Sequence, residues 1–189
     1  MASSDGAARR TRSAILDAAA RMLGRRPYAA MAEIADEAGV GRATLYRHFP
    51  TRESLLRGVA EGGMSELVEA FAAANLAELP VDRAIARVTA VFMRTGAKYA
   101  AVIGQADAYC DPDLTERTVR PIRDAIARGV RDDVLRDDLR GEAVFELFTA
   151  LLERALRLTV GGVMTPEEAT EAAVTVFLEG ARKPGSPTD

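Results

Sequence analysis

The 189-residue chain contains one cysteine, one histidine and no tryptophan. Because Cys110 is alone, neither an intrachain disulfide nor a zinc cluster of several thiolates can form. A metal site would have to be built from carboxylates, and a Ser–His or Cys–His catalytic set would have to use His48. The sequence therefore predicts no metal site and no cofactor, and it leaves His48 as the only residue for histidine-dependent catalysis.

Long apolar runs are also missing. No run approaches the roughly 18 residues that a membrane-spanning helix needs, and residues 1–10 contain no hydrophobic segment of the kind found in signal peptides. We therefore expect a cytoplasmic protein without a membrane partner. Strand-like alternation, internal repeats and phosphate-binding loops are absent too. With 48% apolar and 28% charged residues, the chain has an ordinary globular composition, and an all-α fold is predicted.

Charge is distributed unevenly along the chain. Residues 1–58 carry ten Arg/Lys and six Asp/Glu, a net charge of +4, whereas residues 59–189 carry 15 and 22, a net charge of −7. The two values agree with the total of −3. A basic first third followed by an acidic remainder is typical of a nucleic-acid-binding head on a body that does not bind nucleic acid.

The most informative stretch, residues 31–56, predicts two short helices joined by a tight turn. The first helix has one apolar face, made by Met31, Ile34, Ala35 and Ala38. Gly39 ends this helix, because glycine accepts a positive φ at no steric cost and can reverse the chain. Val40 fills the turn. Two helices joined in this way make a helix-turn-helix, whose second helix is shaped to enter the DNA major groove.

The second helix starts at about residue 41 or 42 and ends before Pro50. Leu45 and Phe49 lie four residues apart and are expected to turn inward. Thr51 is predicted to be the N-cap of the next helix, with Glu53 in its first turn.

The residues between these inward positions have side chains suited to DNA. Arginine can bond guanine, threonine a base edge or a phosphate, and alanine can touch the thymine methyl group, while tyrosine and histidine suit phosphate oxygens. Since His48 lies among them, catalysis through histidine is not expected. The predicted DNA contacts are Gly41, Arg42, Ala43, Thr44, Tyr46, Arg47, His48, Thr51 and Arg52.

The rest of the chain predicts a larger helical unit. We expect a DNA-binding head over residues 9–58, a body over 59–182, and loose segments at 1–8 and 183–189. Gly62 and Gly63 are expected to interrupt the fourth helix, either as a hinge between head and body or as a kink or close helix crossing. Asp82 is expected to cap the next helix, and Pro121 to kink or split a later one. Two strongly apolar helices close the chain.

The helix-turn-helix stretch resembles the tetracycline-repressor (TetR) family of transcriptional regulators. The matching words are Ile34-Ala35, Ala38-Gly39-Val40, Thr44 to Pro50 and Thr51-Arg52-Glu53 with Leu55-Leu56, within the first third of the chain. Two positions depart from the family pattern. Gly41 stands where a serine or threonine usually caps the recognition helix, and Ala30 stands where a serine or threonine tends to precede the second helix.

The resemblance implies a repressor that forms a homodimer through its last two long helices. Two-fold symmetry would then require a palindromic operator with half-sites roughly 34 Å apart, or a multiple of that distance. The resemblance also implies a small-molecule effector, bound in the body between the fourth helix and the helices that begin near Asp82 and Asp111. Candidate ligand contacts, chosen because aromatic side chains line such sites, are Phe71, Phe92, Tyr99, Tyr109 and Phe148.

Two other classes of protein remain open at this point. An all-helical enzyme would need a general base or a metal site in the body, which has no histidine and only Cys110 as a thiol. A helical module whose head binds protein instead of DNA would lack the steep salt dependence of DNA binding. Cys110 itself is expected to be a buried, inert thiol or a sensor of oxidants.

Overall fold

In the computed structural model, which describes residues 2–103 and 106–183, the regular elements are helices, with one isolated β-bridge between Leu135 and Arg182. No helix in these ranges combines the length and the apolar character needed to cross a bilayer. The α-helices are α1 (Ala2–Arg25), α2 (Met31–Glu37), α3 (Arg42–His48), α4 (Arg52–Ala73), α5 (Val81–Gly96), α6 (Ala100–Ile103), α7 (Ala106–Tyr109), α8 (Pro112–Arg131), α9 (Gly141–Val160) and α10 (Pro166–Ala181). Short 3₁₀ turns cover Leu76–Glu78 and Ala97–Tyr99.

Two hydrophobic cores organise these helices. Buried side chains of the head core come from α1 to α3, the first turns of α4, and the segment at Tyr99 and Val102: they include Ile15, Leu23, Ile34, Leu45, Phe49, Leu55 and Val59. The body core joins the rest of α4 to α5, α8, α9 and α10, with Leu67, Ile85, Met93, Ile126, Phe148 and Phe177 among its members. The all-α architecture with an N-terminal helix-turn-helix is therefore confirmed.

Near both ends of the chain, the described residues make contacts that the sequence does not predict. Helix α1 begins at Ala2, so the expected loose segment is wrong for residues 2–8. Alanines at positions 2, 7 and 8 favour helix, and the Thr11 hydroxyl donates to the Ala7 carbonyl at 3.0 Å. At the other end, Lys183 donates its backbone N–H to Val134 at 3.2 Å and its ammonium group to Asp133. Met1 and residues 184–189 lie outside the described residues.

Helix starts and prolines also differ from expectation. Pro80, not Asp82, stands at the N-cap of α5. Asp82 lies in the first turn, where its Oδ2 accepts a hydrogen bond from Arg182 at 2.7 Å. Pro121 does not split α8, which is assigned as one helix over Pro112–Arg131.

Helix α4 passes through Gly62 and Gly63 without interruption, so the expected break there is wrong, whereas the alternative of a close crossing is confirmed at Gly63. The reason for Gly63 is a close crossing, because the ring of Tyr99 lies directly against it. A Cβ atom built at position 63 would be 2.6 Å from Cγ of Tyr99, whereas one built at Gly62 would meet nothing within 4 Å. Of the two glycines, Gly63 is therefore the one that the packing requires.

Replacing these two glycines separates packing from helix propensity. We expect Gly63→Ala to lower the free energy of unfolding by roughly 1–3 kcal/mol, because Tyr99 must shift to admit the methyl group. The matched control Gly62→Ala should leave stability unchanged or raise it by up to about 1 kcal/mol, through better helix propensity. Urea denaturation followed by circular dichroism measures both. Equal effects of the two substitutions would contradict the close crossing.

Candidate nucleic-acid interface and body cavity

The turn between α2 and α3 fixes the angle of the second helix. Gly39 has φ +66°, and its N–H donates to the Asp36 carbonyl at 3.1 Å while the N–H of Val40 donates to Ala35 at 3.0 Å. These two bonds form a Schellman motif, which satisfies carbonyls at the end of α2. A non-glycine residue at position 39 would be strained in this backbone conformation. The turn predicted from the sequence is therefore present.

Helix α3 shows two distinct faces. Leu45 and Phe49 are fully buried in the head core, as predicted. Because these positions face inward, the remaining side chains face out: Arg42, Ala43, Tyr46 and Arg47 are exposed, whereas Thr44 and His48 are half-buried. Gly41 is the N-cap of α3 and supplies no side-chain cap. The structure thus brings seven of the nine predicted DNA contacts together on one short helix and its cap.

The start of α4 adds an exposed hydroxyl beside this helix. Thr51 is its N-cap: the Oγ1 atom accepts a hydrogen bond from the Ser54 N–H at 3.0 Å, and the Ser54 Oγ accepts one from the Thr51 N–H at 3.2 Å. This reciprocal pair is a capping box, which satisfies backbone donors at the helix start. The predicted cap is confirmed, and Glu53 lies in the first turn as expected.

Arg52 makes contacts within the head that the sequence does not predict. Its guanidinium donates to the carbonyls of Ala29, at 2.5 Å, and Pro27, at 2.7 Å. These bonds tie the start of α4 to the connector between α1 and α2, so Arg52 is a structural clamp within the head. The sequence could not reveal this role, because the two carbonyls are 23 and 25 residues away along the chain.

The same connector carries an aromatic residue that the sequence reasoning did not select. Tyr28 lies between the two carbonyls held by Arg52, and 96% of its surface is exposed. Two residues later, the Ala30 N–H donates to Glu33 at 2.7 Å. This backbone bond, together with the nearby Arg26 guanidinium, lowers the pKa of the Glu33 carboxyl. Tyr28 therefore adds an exposed phenol next to the start of α4.

A polar cluster links the head to the body beside Gly63. The Lys98 ammonium lies 2.8 Å from Asp17 of α1 and 3.0 Å from Glu66 of α4. The Tyr99 hydroxyl donates to the same Glu66 carboxylate. Burial, followed by the bond to Glu66, raises the pKa of Tyr99 to about 12. Burial opposes the charge on Lys98, but its hydrogen bonds to Asp17, Tyr99 and Glu66 outweigh that effect and raise its pKa.

The body contains a cavity of about 480 Å³ between α4, α5, α8 and α9. Its apolar wall includes Met64, Leu67, Phe71, Phe92, Ile122 and Phe145. The position agrees with the predicted one, and Phe71 and Phe92 line it. Cys110, half-buried, also contributes to the wall.

Three of the predicted ligand contacts lie elsewhere. Tyr99 packs on Gly63 in the junction described above. Tyr109 packs against the head core. Phe148 is fully buried, with its ring centroid 4.3 Å from that of Phe177 in the body core. Aromatic residue type alone did not distinguish these packing roles from a cavity wall.

The charged part of the cavity wall is mainly acidic. The polar lining residues are Glu116, Glu146, Glu153, Thr115, Thr118, Thr149 and Arg123. Among the residues that the structure describes, Arg123 is the one cation in this wall, and it lies 2.6 Å from Glu116. Carboxylates therefore outnumber cations at the surface that a bound molecule would meet.

The last two long helices leave apolar side chains exposed. Leu147 of α9 and Val176 of α10 are 67% and 62% exposed, although both fall on the apolar stripes of their helices. Such side chains on neighbouring helices mark an apolar surface outside the body core.

Comparison with known proteins identifies similar sequences and a similar fold. Residues 15–59 match the family model described as bacterial regulatory proteins, tetR family. The chain is 39% identical over 109 residues to the HTH-type transcriptional repressor LfrR of Mycolicibacterium smegmatis, a match that spans 58% of this chain and 58% of that relative.

Solved structures extend the likeness over nearly the whole chain. A crystal structure of the TetR-like transcriptional regulator LfrR from Mycobacterium smegmatis in complex with proflavine is 29% identical, with a TM-score of 0.77, and the match covers 92% of this chain and 97% of that one. PfmR, a TetR family transcriptional regulator from Thermus thermophilus, has the same fold at 22% identity, with a TM-score of 0.69 and coverage of 87% and 97%.

The structural role of Arg52 can be tested by its effect on stability. We expect Arg52→Ala to lower the free energy of unfolding by about 2 kcal/mol, because two backbone carbonyls lose a charged donor. Arg57→Ala, one turn further along α4, removes only an exposed ion pair with Glu53 at 3.1 Å and should change stability by less than about 1 kcal/mol. Chemical denaturation measures both. A loss no larger than that of the Arg57 control would refute the clamp.

Proposed function

We propose that this chain is a sequence-specific transcriptional repressor of the tetR family of bacterial regulatory proteins, whose model its residues 15–59 match, and that it binds DNA as a homodimer. A small-molecule effector in the body cavity releases it from a palindromic operator. The observation that carries this proposal is the outward face of α3, which presents two arginines, an alanine and a tyrosine while Leu45 and Phe49 anchor the helix. The relatives are described as transcriptional regulators, which supports a role without catalysis. We propose that the protein acts in the cytoplasm, where the DNA lies.

The DNA contacts divide into two groups by their chemistry. Arg42, Ala43, Thr44 and Arg47 are proposed to meet base edges in the major groove. Tyr46, His48, Thr51 and the backbone N–H at Gly41 are proposed to meet phosphates, which position the helix without reading sequence. Tyr28 joins the phosphate group because it is fully exposed beside the start of α4. Arg52 is also proposed to lie near phosphate, and its bonds to the Ala29 and Pro27 carbonyls hold the start of α4 in place.

The two cores support a division of the chain into a head at residues 9–58 and a body at 59–182. Leu45 and Phe49 belong to the first core, whereas Leu67 and Phe71 belong to the second. The division is not complete, since Val59, Ala60, Tyr99 and Val102, which lie beyond residue 58, pack in the head core. These residues provide a physical route between the two parts.

The exposed apolar side chains on α9 and α10 support the homodimer. Leu147 and Val176 would be buried if these helices packed against the same pair in a second copy across a two-fold axis. The axis would allow the two copies of α3 to enter successive major grooves on the same side of the DNA. The two half-sites of the operator would then lie roughly 34 Å apart or a multiple of that distance.

The cavity favours a planar, apolar effector with a positive charge. Phe71, Phe92 and Phe145 offer aromatic surface, and Glu116, Glu146 and Glu153 offer carboxylates. Aromatic faces and carboxylates together bind organic cations. Proflavine, bound in the LfrR structure, is a flat aminoacridine cation of this class.

Helix α4 connects the cavity to the DNA-binding face. Met64, Leu67 and Phe71 of α4 line the cavity, and the same helix starts at Thr51 beside α3. A ligand that displaces α4 would therefore act on the head through the Tyr99 and Lys98 contacts. The dimer is proposed to have two states that differ in the distance between its two heads. The ligand shifts the populations of these states only as far as its affinities for the two states differ.

Substitutions on α3 test the DNA-binding proposal through sequence preference. After selection of bound sequences from random duplexes, we expect Arg42→Ala and Thr44→Ala to lose roughly 1–3 kcal/mol on the preferred operator and to relax the preference at single positions. Tyr46→Phe should weaken binding on operator and random DNA alike, since phosphates are common to both. Fluorescence anisotropy with labelled duplexes measures these affinities.

Two controls complete the DNA-binding test. Arg131→Ala, at the exposed end of α8 in the body, should leave both affinities unchanged. The logarithm of the wild-type affinity should fall steeply and linearly with the logarithm of salt concentration. Uniform losses for all the α3 variants would overturn the assigned base contacts, and a flat salt dependence would favour a protein-binding head instead.

A further inference from the structure

We propose that Arg123 occupies the cation-binding position of the body cavity and competes with the effector for it. This inference rests on the proposed function, in that it treats the cavity as the effector site. It assigns to Arg123 the role of a resident cation that a ligand must displace. Arg123 then sets how strongly the cavity binds positively charged molecules.

The surroundings of Arg123 are those expected for a bound organic cation. Its guanidinium carbon lies 4.4 Å from the centroid of the Phe145 ring. One terminal nitrogen donates to Glu116 at 2.6 Å, and the other donates to Glu142 at 3.3 Å. An aromatic face combined with carboxylates is the arrangement that recognises a flat cation. Arg123, Phe145 and Glu116 all line the cavity, so a ligand there would meet the same groups.

The contacts that hold Arg123 are incomplete. Its Nε atom is buried and has no hydrogen-bond partner among the described residues, and a buried donor without a partner is unfavourable. The bond to Glu142 is long, and the Arg123 side chain keeps 37% of its surface exposed. The side chain can therefore leave the Phe145 ring towards solvent without breaking a fully satisfied network.

Exchange of one cation for another keeps Glu116 paired. The Glu116 side chain is 55% exposed, whereas Phe145 is buried, so a ligand cation that replaces Arg123 keeps both the ion pair and a positive charge over the Phe145 ring. A neutral ligand has no positive charge to pair with Glu116 and would bind on the apolar wall near Leu67 and Phe92 with Arg123 in place. The exchange therefore discriminates between cationic and neutral molecules of the same shape.

The experiment measures binding of proflavine to the full-length protein by fluorescence titration. Arg123→Met, which keeps an apolar side chain but removes the charge, should bind proflavine about tenfold more tightly than wild type, a change of about 1.4 kcal/mol. Glu116→Gln should bind it about tenfold more weakly. The matched control Arg120→Met lies on the same helix but does not line this cavity, and its affinity should equal that of wild type.

A neutral probe of similar size isolates the charge effect. Acridone, a flat neutral tricycle, should bind wild type, Arg123→Met and Glu116→Gln with affinities within about twofold of one another, because it leaves the cation position untouched. If Arg123→Met does not fold, as judged by thermal denaturation, Arg123→Gln gives the same test. Unchanged or weaker proflavine binding by the folded Arg123 variant, or an equal gain for acridone, would overturn the inference.

Operator binding separates this inference from the proposed function. Gel shifts with the selected operator are measured on the same samples. Tighter proflavine binding by Arg123→Met in a protein that does not bind DNA would support the cation position and reject the repressor. Operator binding by wild type, with no proflavine binding by any variant, would reject the cation position alone.

Discussion

The packing of Tyr99 against Gly63 connects the two halves of this molecule. Helix α4 contributes Leu55 and Val59 to the head core and Leu67 and Phe71 to the body core, so it belongs to both. Tyr99, which follows α5, returns to α4 where the two cores meet. Because protein interiors are close-packed and transmit displacements, movement of α4 at this point has to be shared with Tyr99 and its neighbours.

The polar contacts around this crossing reinforce the connection. Lys98 joins Asp17 of α1 to Glu66 of α4, and the Tyr99 hydroxyl uses the same Glu66 carboxylate. The head is therefore attached to the body by more than the continuity of one helix. The same helix α4 lines the acidic cavity further along its length, through Met64, Leu67 and Phe71.

Features that depend on local sequence could be predicted, whereas those that depend on tertiary approach could not. Gly39, the inward pair Leu45 and Phe49, and the cap at Thr51 are determined by neighbours within a few residues, and the structure has them as expected. Arg52 donates to carbonyls more than twenty residues away along the chain. Tyr99 was predicted to line the cavity, because no local pattern reveals that its ring packs on Gly63. For aromatic residues of the body, composition alone does not separate a cavity wall from a close-packed interior.

In helix α3, the residues that hold the helix in the fold are different from those that face outward. Leu45 and Phe49 are buried and anchor the helix, and Gly39 sets its angle. Arg42, Ala43 and Tyr46 are exposed and therefore contribute little to the stability of the fold. Mutations on the outward face should therefore change the free energy of unfolding only slightly. Over evolutionary time, duplicated copies of such a gene can change this outward face one residue at a time, without passing through unfolded intermediates.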